Sequence, residues 1–127
     1  MDKGSVIIYD NGDMEIVQGD SFPFLIEGIK TDKDYEVYFS IYNSKGKRIG
    51  DEVHVNSGYA DSVVLEIPST LTDLLTVKGG IESTEDYYYG IKLCHAESGL
   101  EETQKINGKE VGELSIITVH PKKVEGI

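Results

Sequence analysis

The side chains in this chain that could carry chemistry are three histidines, one cysteine and a turn rich in acidic residues. His54, His95 and His120 lie on three separate segments, without the H-x-H or H-x₃-H spacing that is typical of zinc ligands. The acidic turn, Asp10–Asp13, lacks the alternating carboxylates and the sixth-position glycine of a calcium loop. These patterns predict neither a metal site nor a cofactor.

The single cysteine, Cys94, excludes an intrachain disulfide and is not placed as a nucleophile. A reactive thiol needs a base beside it, and adjacent residues of a strand, such as Cys94 and His95, point to opposite faces. The chain also contains no Gly-x-Gly-x-x-Gly, phosphate-loop or Gly-x-Ser-x-Gly motif. The sequence therefore predicts a protein that is not an enzyme, with no catalytic residue.

The net charge of the chain is -11, which narrows the partners that it could bind. An acidic surface repels the phosphates of nucleic acids and of anionic membranes, so we expect neither as a partner. Solubility accounts for such a charge, and docking to a basic protein surface is the functional alternative. The first residues lack the apolar run of a signal peptide, so we expect synthesis in the cytoplasm without export by that route.

Alternating apolar residues predict the fold class. In the stretch from Asp86 to Leu93 every second residue is large and apolar, while Tyr88, Gly90 and Lys92 could face water. The same alternation returns in most segments, separated by turns. We predict an all-β, immunoglobulin-like antiparallel β-sandwich in one domain, residues 1–127, with its core at about 5–120 and a loose tail at 121–127. The predicted core contains Phe24, Ile26, Tyr35, Val37, Phe39, Ile41, Val63, Leu65, Tyr87, Tyr89, Ile91 and Leu93.

Three segments carry more specific expectations. Ser69–Leu75 is the one helix candidate, about two turns long, with Ser69 or Thr70 as its cap and Leu71, Leu74 and Leu75 on one face. Residues 101–106 are expected to pair back on the tyrosine-rich strand after a turn at 96–99. The last strand is placed at 110–119, where Leu114 and Ile116 conflict in phase with Ile117 and Val119. A β-bulge near Ile116, or burial of both faces, would resolve that conflict.

The eight tyrosines and absent tryptophan suggest an interaction surface. Tyr38, Tyr42 and Tyr88 fall on the polar faces of two strands that are neighbours in an immunoglobulin-like sheet. They would form one outward patch, and tyrosine is favoured at interfaces because it combines apolar area with a polar tip. Scattered surface aromatics are the alternative. Tyr87 is a candidate for a tyrosine corner, with its hydroxyl bonded to the preceding loop.

Three segments resemble a known family. Met14–Phe24 (MEIVQGDSFPF) is similar to the opening strand of immunoglobulin-like domains in tail and baseplate proteins of phages that infect Gram-positive bacteria. Tyr87–Leu93 resembles their Y-Y-Y-D-V-K-L strand, with Gly90 where the family often has Asp. Gly112–Pro121 resembles their closing strand, and the likeness spans about residues 14–121. The segment 77–86 looks longer than the family's turn before the tyrosine strand.

The resemblance implies a domain like the N-terminal domain of a baseplate upper protein. It implies a structural module that docks into a phage or prophage tail, located in the virion and without enzymatic residues to transfer. Its partners would be other tail or baseplate proteins, and self-association is left open. Larger family members continue beyond the position of Ile127, so an adaptor or a small virion protein is expected rather than a direct receptor-binding protein. A carbohydrate-binding β-sandwich module is the alternative function.

Overall fold

The computed structural model describes residues 6–80, 82–107, 109–110 and 112–122. These residues form ten strands and one short helix, α1 (Ser69–Thr72). The strands are β1 (Ile7–Ile8), β2 (Met14–Val17), β3 (Phe22–Glu27), β4 (Tyr35–Tyr42), β5 (Arg48–Asn56), β6 (Ser62–Ile67), β7 (Glu85–His95), β8 (Lys105–Ile106), β9 (Lys109–Glu110) and β10 (Ser115–His120).

Most strands belong to a six-stranded sheet with the order β1-β2-β10-β7-β4-β5. Its neighbours are antiparallel except β2 and β10, which run parallel. A second sheet consists of β3 and β6, and β8 pairs with β9 in a separate hairpin. One sheet thus holds β3 and β6 and the other β4, β7 and β10, which is the division of strands B and E from C, F and G in immunoglobulin-like sandwiches.

The inner faces of the two sheets meet in one aromatic-rich core. Phe24 of the small sheet packs edge-on against Phe39 and Tyr89 of the large sheet, with ring centroids 5.8 and 5.5 Å apart. Phe39 and Tyr89 stack at 5.2 Å. Every predicted core residue is buried except Val63, which is partly buried against the core. The predicted all-β, immunoglobulin-like antiparallel β-sandwich with one short helix is therefore confirmed.

The helix is shorter than predicted and is capped differently. It covers Ser69–Thr72, and Pro68 is its N-cap residue without a side-chain cap bond, so neither Ser69 nor Thr70 caps it. Leu71 and Leu75 are buried, whereas Leu74 is 50% exposed. The chain continues beyond Thr72 in tight turns, which remove Leu74 from the face that a longer helix would have shared with Leu71.

The last strand begins later than predicted, and this resolves its phase conflict. It covers Ser115–His120, with Ile117 and Val119 buried and Ile116 on the opposite face. Leu114 precedes the strand and is 52% exposed, so it is not part of the alternation of buried and exposed residues in β10. The bulge near Ile116 and the burial of both faces were therefore wrong predictions.

The pairing of residues 101–106 with β7 was also largely wrong. One isolated bridge, Cys94 to Glu101, remains, and Lys105–Ile106 instead pairs with Lys109–Glu110. In the predicted tail, Pro121 and Lys122 are described and residues 123–127 lie outside the described part. Lys122 Nζ lies 2.7 Å from Asp73 Oδ1, so this part of the tail contacts the turns after α1.

Candidate functional site

The outer face of the six-stranded sheet brings the three predicted interface tyrosines together. Tyr38 and Tyr42 lie on β4 and Tyr88 lies on β7, and all three side chains are half-buried. Tyr42 is directly opposite Tyr88, and Tyr88 is opposite Ile116 on β10. The placement on one face is as predicted, because β4 and β7 are neighbours in the antiparallel sheet. Their role in binding stays a prediction.

A depression interrupts this face between two rows of large side chains. Its centre is the opposed pair Ser40 and Gly90, and its volume is about 260 Å³. Two residues away along the strands in one direction, Tyr38 is opposite Lys92. Two residues away in the other direction, Tyr42 is opposite Tyr88. Because glycine contributes no side chain and serine a short one, the sheet surface is low at this point.

An ionic cluster borders the depression at the edge strand β5. The Ser40 hydroxyl donates to Glu52 Oε2 at 3.2 Å. Lys92 Nζ lies 3.8 Å from the same oxygen, and an Arg48 nitrogen lies 3.8 Å from Oε1. Residues four apart in a regular strand are about 13 Å apart. Arg48 reaches Glu52 because the register of β4 with β5 shifts between Phe39 and Ile41.

Tyr38 also borders the depression, and it has one cationic and one aromatic neighbour. The Lys92 ammonium nitrogen lies 5.0 Å from the centroid of the Tyr38 ring. The ring of His54, on β5, lies 5.4 Å from that of Tyr38. The rim thus already holds one cation against a tyrosine face, the geometry of a cation–π contact.

A second carboxylate near the depression, Glu102, is fully engaged. It accepts hydrogen bonds from Tyr35 at 3.2 Å and Gln104 at 3.1 Å, and His95 Nε2 lies 2.8 Å from its Oε1. Lys30 Nζ lies 3.6 Å away. Burial raises the pKa of Glu102, but these bonded and charged neighbours outweigh it and lower the pKa below the usual value of 4.5. The same contacts join β4 to the loop after β7.

A third carboxylate, Glu15, ties the first strands to the last one. Its Oε2 accepts a hydrogen bond from Tyr9, and His120 Nε2 lies 2.8 Å from its Oε1. These two bonds, helped by the charge of His120, lower the pKa of Glu15 although desolvation opposes them. The bond to Glu15 in turn raises the pKa of Tyr9.

All three histidines therefore lie beside glutamates rather than beside one another. His54 Nδ1 is 3.2 Å from Glu36 Oε1, which completes the set with the His95 and His120 pairs. Within the described residues no group of three or more His, Cys, Asp or Glu side chains could hold a metal ion. Cys94 is buried on β7. Among the described helices none has the length and hydrophobicity needed to cross a membrane.

The edge of the small sheet at β3 is covered rather than open for strand addition. The Asn107 side chain accepts a hydrogen bond from Glu27 N at 2.7 Å and donates to Leu25 O at 3.0 Å. Its backbone nitrogen donates to Glu27 O at 2.9 Å. Pro23, further along the strand, has no N–H group to offer. Natural sheets use such devices against edge pairing, so β3 is a poor docking edge.

Sequence reasoning missed the depression and its polar partner Glu52. A glycine within a run of aromatic residues was the available signal for the depression, since an interior strand glycine often marks a close approach. No local signal pointed to Glu52, because its partners lie on two other strands or beyond a register shift.

Comparison with known proteins assigns no family to the chain. No protein-family model and no curated protein matches it. Among solved structures it is similar to the periplasmic chaperone SfaE, with 9% sequence identity and a TM-score of 0.49 over 89% of this chain and 55% of that one. The chain thus spans about half the length of the chaperone chain. The immunoglobulin-like assignment rests on the strand order of the molecule itself.

Proposed function

We propose that this chain is a structural binding module that docks another protein on the outer face of its six-stranded sheet. The observation that carries the proposal is the row formed by Tyr42, Tyr88 and Ile116 across three adjacent strands. Aromatic residues on a flat sheet face are typical anchors of protein interfaces. The sequence resemblance makes a phage or prophage tail or baseplate the proposed location, with other tail proteins as partners.

The covered edge at β3 and the short edge strand β1 favour this face over strand addition at those two edges. Asn107 covers β3 at Leu25 and Glu27, and β1 at the edge of the large sheet has two residues. Strand addition depends on a row of open backbone groups, which these edges offer poorly. The outer face, in contrast, combines half-buried tyrosines with charged groups at its rim.

The test replaces two tyrosines of the face and follows incorporation into particles. We expect Tyr38→Asp with Tyr88→Asp to keep the fold and to abolish incorporation, because two charges would be desolvated at the interface. Tyr59→Asp is the matched control, since Tyr59 is 57% exposed on the turn between β5 and β6. Peptide mass spectrometry of purified tail particles measures incorporation, and circular dichroism checks folding.

Either of two outcomes would contradict the proposal. The chain could be absent from tail particles altogether, or the doubly substituted chain could be incorporated as well as the Tyr59→Asp control. If the double variant is unfolded, Tyr42→Ser with Tyr88→Ser repeats the comparison with smaller polar side chains that are compatible with a sheet surface.

The depression at Gly90 favours carbohydrate binding as a second candidate. Sugar sites combine aromatic faces with a few polar groups in a concave surface, and Tyr38, Tyr42, Lys92 and Glu52 meet that description. The absence of tryptophan weighs against it. A glycan array with wild-type protein and Tyr42→Ala tests it; a sugar whose binding depends on Tyr42 would support it.

A further inference from the structure

We propose that the depression at Gly90 receives the cationic side chain of a basic residue of the partner protein, preferably an arginine. The proposal rests on the proposed function and names the chemistry of the partner at one point of the face. Three features of the depression carry it: a carboxylate with spare acceptor capacity, an aromatic rim, and a volume that suits one side chain.

Glu52 is the carboxylate that would accept the incoming cation. Within the described residues it accepts one hydrogen bond, from Ser40, while Lys92 and Arg48 lie 3.8 Å away. That distance is too long for a hydrogen bond, and a carboxylate has about four acceptor positions. Its side chain is 29% exposed, so it remains accessible from the depression.

Glu102 provides an internal comparison. Its Oε2 accepts hydrogen bonds from Tyr35 and Gln104, and its Oε1 lies 2.8 Å from His95 Nε2. Glu102 therefore stabilises the fold and is not available to a ligand. Glu52 and Glu102 both line the depression, and of these two carboxylates only Glu52 has acceptor positions that its close neighbours leave open.

The aromatic rim favours a planar cation. Tyr38 holds the Lys92 ammonium against its ring, which shows that a cation is accommodated at this rim. Tyr42 lies four residues beyond Tyr38 along β4, on the same face and across the depression. Arginine can stack on an aromatic ring while its fork of N–H donors binds a carboxylate, a combination that lysine cannot match.

Size and charge point to one basic side chain from a different protein. Small-molecule sites usually span about 300–1,000 Å³, and this depression has about 260 Å³. Three acidic residues, Glu52, Glu101 and Glu102, and one basic residue, Lys92, line it, while Arg48 and Lys30 lie beside Glu52 and Glu102 from outside the lining. A second copy of the chain carries the same net charge of -11 and is repelled, whereas a basic surface is attracted.

The experiment titrates the folded protein with small probes at low ionic strength. Nα-acetyl-arginine amide is compared with Nα-acetyl-citrulline amide, which has nearly the same shape without the charge, and with a neutral methyl glycoside. Amide NMR resonances of Gly90, Lys92 and Glu52 report binding. We expect millimolar binding of the arginine probe at these resonances and at least tenfold weaker binding of the citrulline probe.

Two variants and one control locate the site. Glu52→Gln keeps an acceptor for Ser40 but removes the charge, and Gly90→Leu fills the depression; each should weaken the arginine probe at least tenfold. Gly90 lies in a strand, and the one atom of the described residues within 4 Å of an added Cβ is Leu114 Cδ2 at 3.0 Å, so we expect the Leu114 side chain to shift and the sheet to be retained. Glu66→Gln, an exposed carboxylate on the other sheet, should change nothing.

The outcomes separate this proposal from the broader one. Equal shifts from the arginine and citrulline probes, no shifts, or shifts that persist in Glu52→Gln would overturn the cationic anchor. Shifts from the glycoside alone would overturn it in favour of a sugar site. If the tyrosine variants still abolish particle incorporation in that case, the face remains the docking surface and the anchor alone is wrong.

Discussion

The hydroxyl of Tyr87 donates a 2.8 Å hydrogen bond to the backbone carbonyl of Thr76, which lies 11 residues earlier in the chain. The bond ties the start of β7 to the turns that follow α1. It has the position of a tyrosine corner, a strand-F tyrosine bonded back to the loop before it. The sequence predicted this role for Tyr87, and the geometry confirms it.

Removal of that hydroxyl should weaken the fold measurably. We expect Tyr87→Phe to lower the free energy of unfolding by about 1 kcal/mol, because one hydrogen bond is lost while water can reach the exposed Thr76. Tyr88→Phe, next in the chain but on the outer face, should stay within about 0.5 kcal/mol of wild type. Urea unfolding measures both, and equal losses would contradict a corner role.

Two turn glycines allow packing to be separated from backbone strain. Gly12 and Gly46 both have positive φ, 96° and 81°, and each donates to the carbonyl three residues earlier. An added Cβ at Gly12 would lie 2.9 Å from Ser115 Oγ and 3.3 Å from the Tyr89 hydroxyl, whereas Gly46 has nothing within 4 Å. Tyr89 donates a 2.5 Å bond to Gly12 O.

We therefore expect Gly12→Ala to cost more than Gly46→Ala. The left-handed backbone alone should cost about 1–2 kcal/mol in each variant. Displacement of Ser115 and Tyr89 should add about 1 kcal/mol or more at Gly12, by disturbing one hydrogen bond. Urea midpoints of the two variants measure the difference, and indistinguishable values would show that the Tyr89 contact contributes nothing.

The Asn107 side chain, which covers the edge of β3, should contribute to both stability and solubility. Asn107→Ala removes the two side-chain bonds to Leu25 and Glu27 and places alanine at a φ of 51°. We expect a loss of about 2–3 kcal/mol and faster aggregation, because the uncovered strand edge can pair with other chains. Asn107→Gly should recover about 1 kcal/mol, since glycine tolerates this φ.

Urea unfolding and light scattering measure the two effects separately. If Asn107→Gly aggregates no faster than wild type, the side-chain bonds do not protect the edge. If both variants are as stable as wild type, Asn107 has no structural role at β3.

Acidification should weaken the Glu102 cluster. The pKa of Glu102 is lower in the folded protein than its usual value of 4.5, so the folded state favours the charged form. That contribution to stability is complete above about pH 4.5 and is lost as pH falls through the lower, folded-state pKa. Glu102→Gln should be less stable than wild type at pH 7 and should lose less stability on acidification.

The measurement is the urea midpoint of both proteins from pH 7 down to the lowest pH at which wild type folds. Glu66→Gln, exposed and on the other sheet, is the control and should follow the wild-type curve. Parallel curves for wild type and Glu102→Gln would show that this carboxylate does not couple folding to pH.

The core and the direction of strand side chains could be predicted because they follow a local rule. In Tyr35–Tyr42 and Tyr87–Leu93, alternate residues face the core, and period-two alternation carries that information along a single strand. The rule failed where elements end. Leu74 and Leu114 are apolar, but both lie beyond a helix or before a strand, and hydrophobicity alone does not mark such boundaries.

The sequence by itself determined the fold class, the core residues that alternate along the strands and the common face of Tyr38, Tyr42 and Tyr88. Tertiary structure decided what surrounds these tyrosines. It places Ser40 opposite Gly90, Lys92 beside Tyr38, and Glu52 close to Lys92 and Arg48. These contacts join residues of different strands, and Arg48 reaches Glu52 through a register shift. Local periodicity determines which face of the sheet a side chain takes. Cross-strand neighbours depend instead on strand register, which is set by packing between segments that are far apart in the sequence.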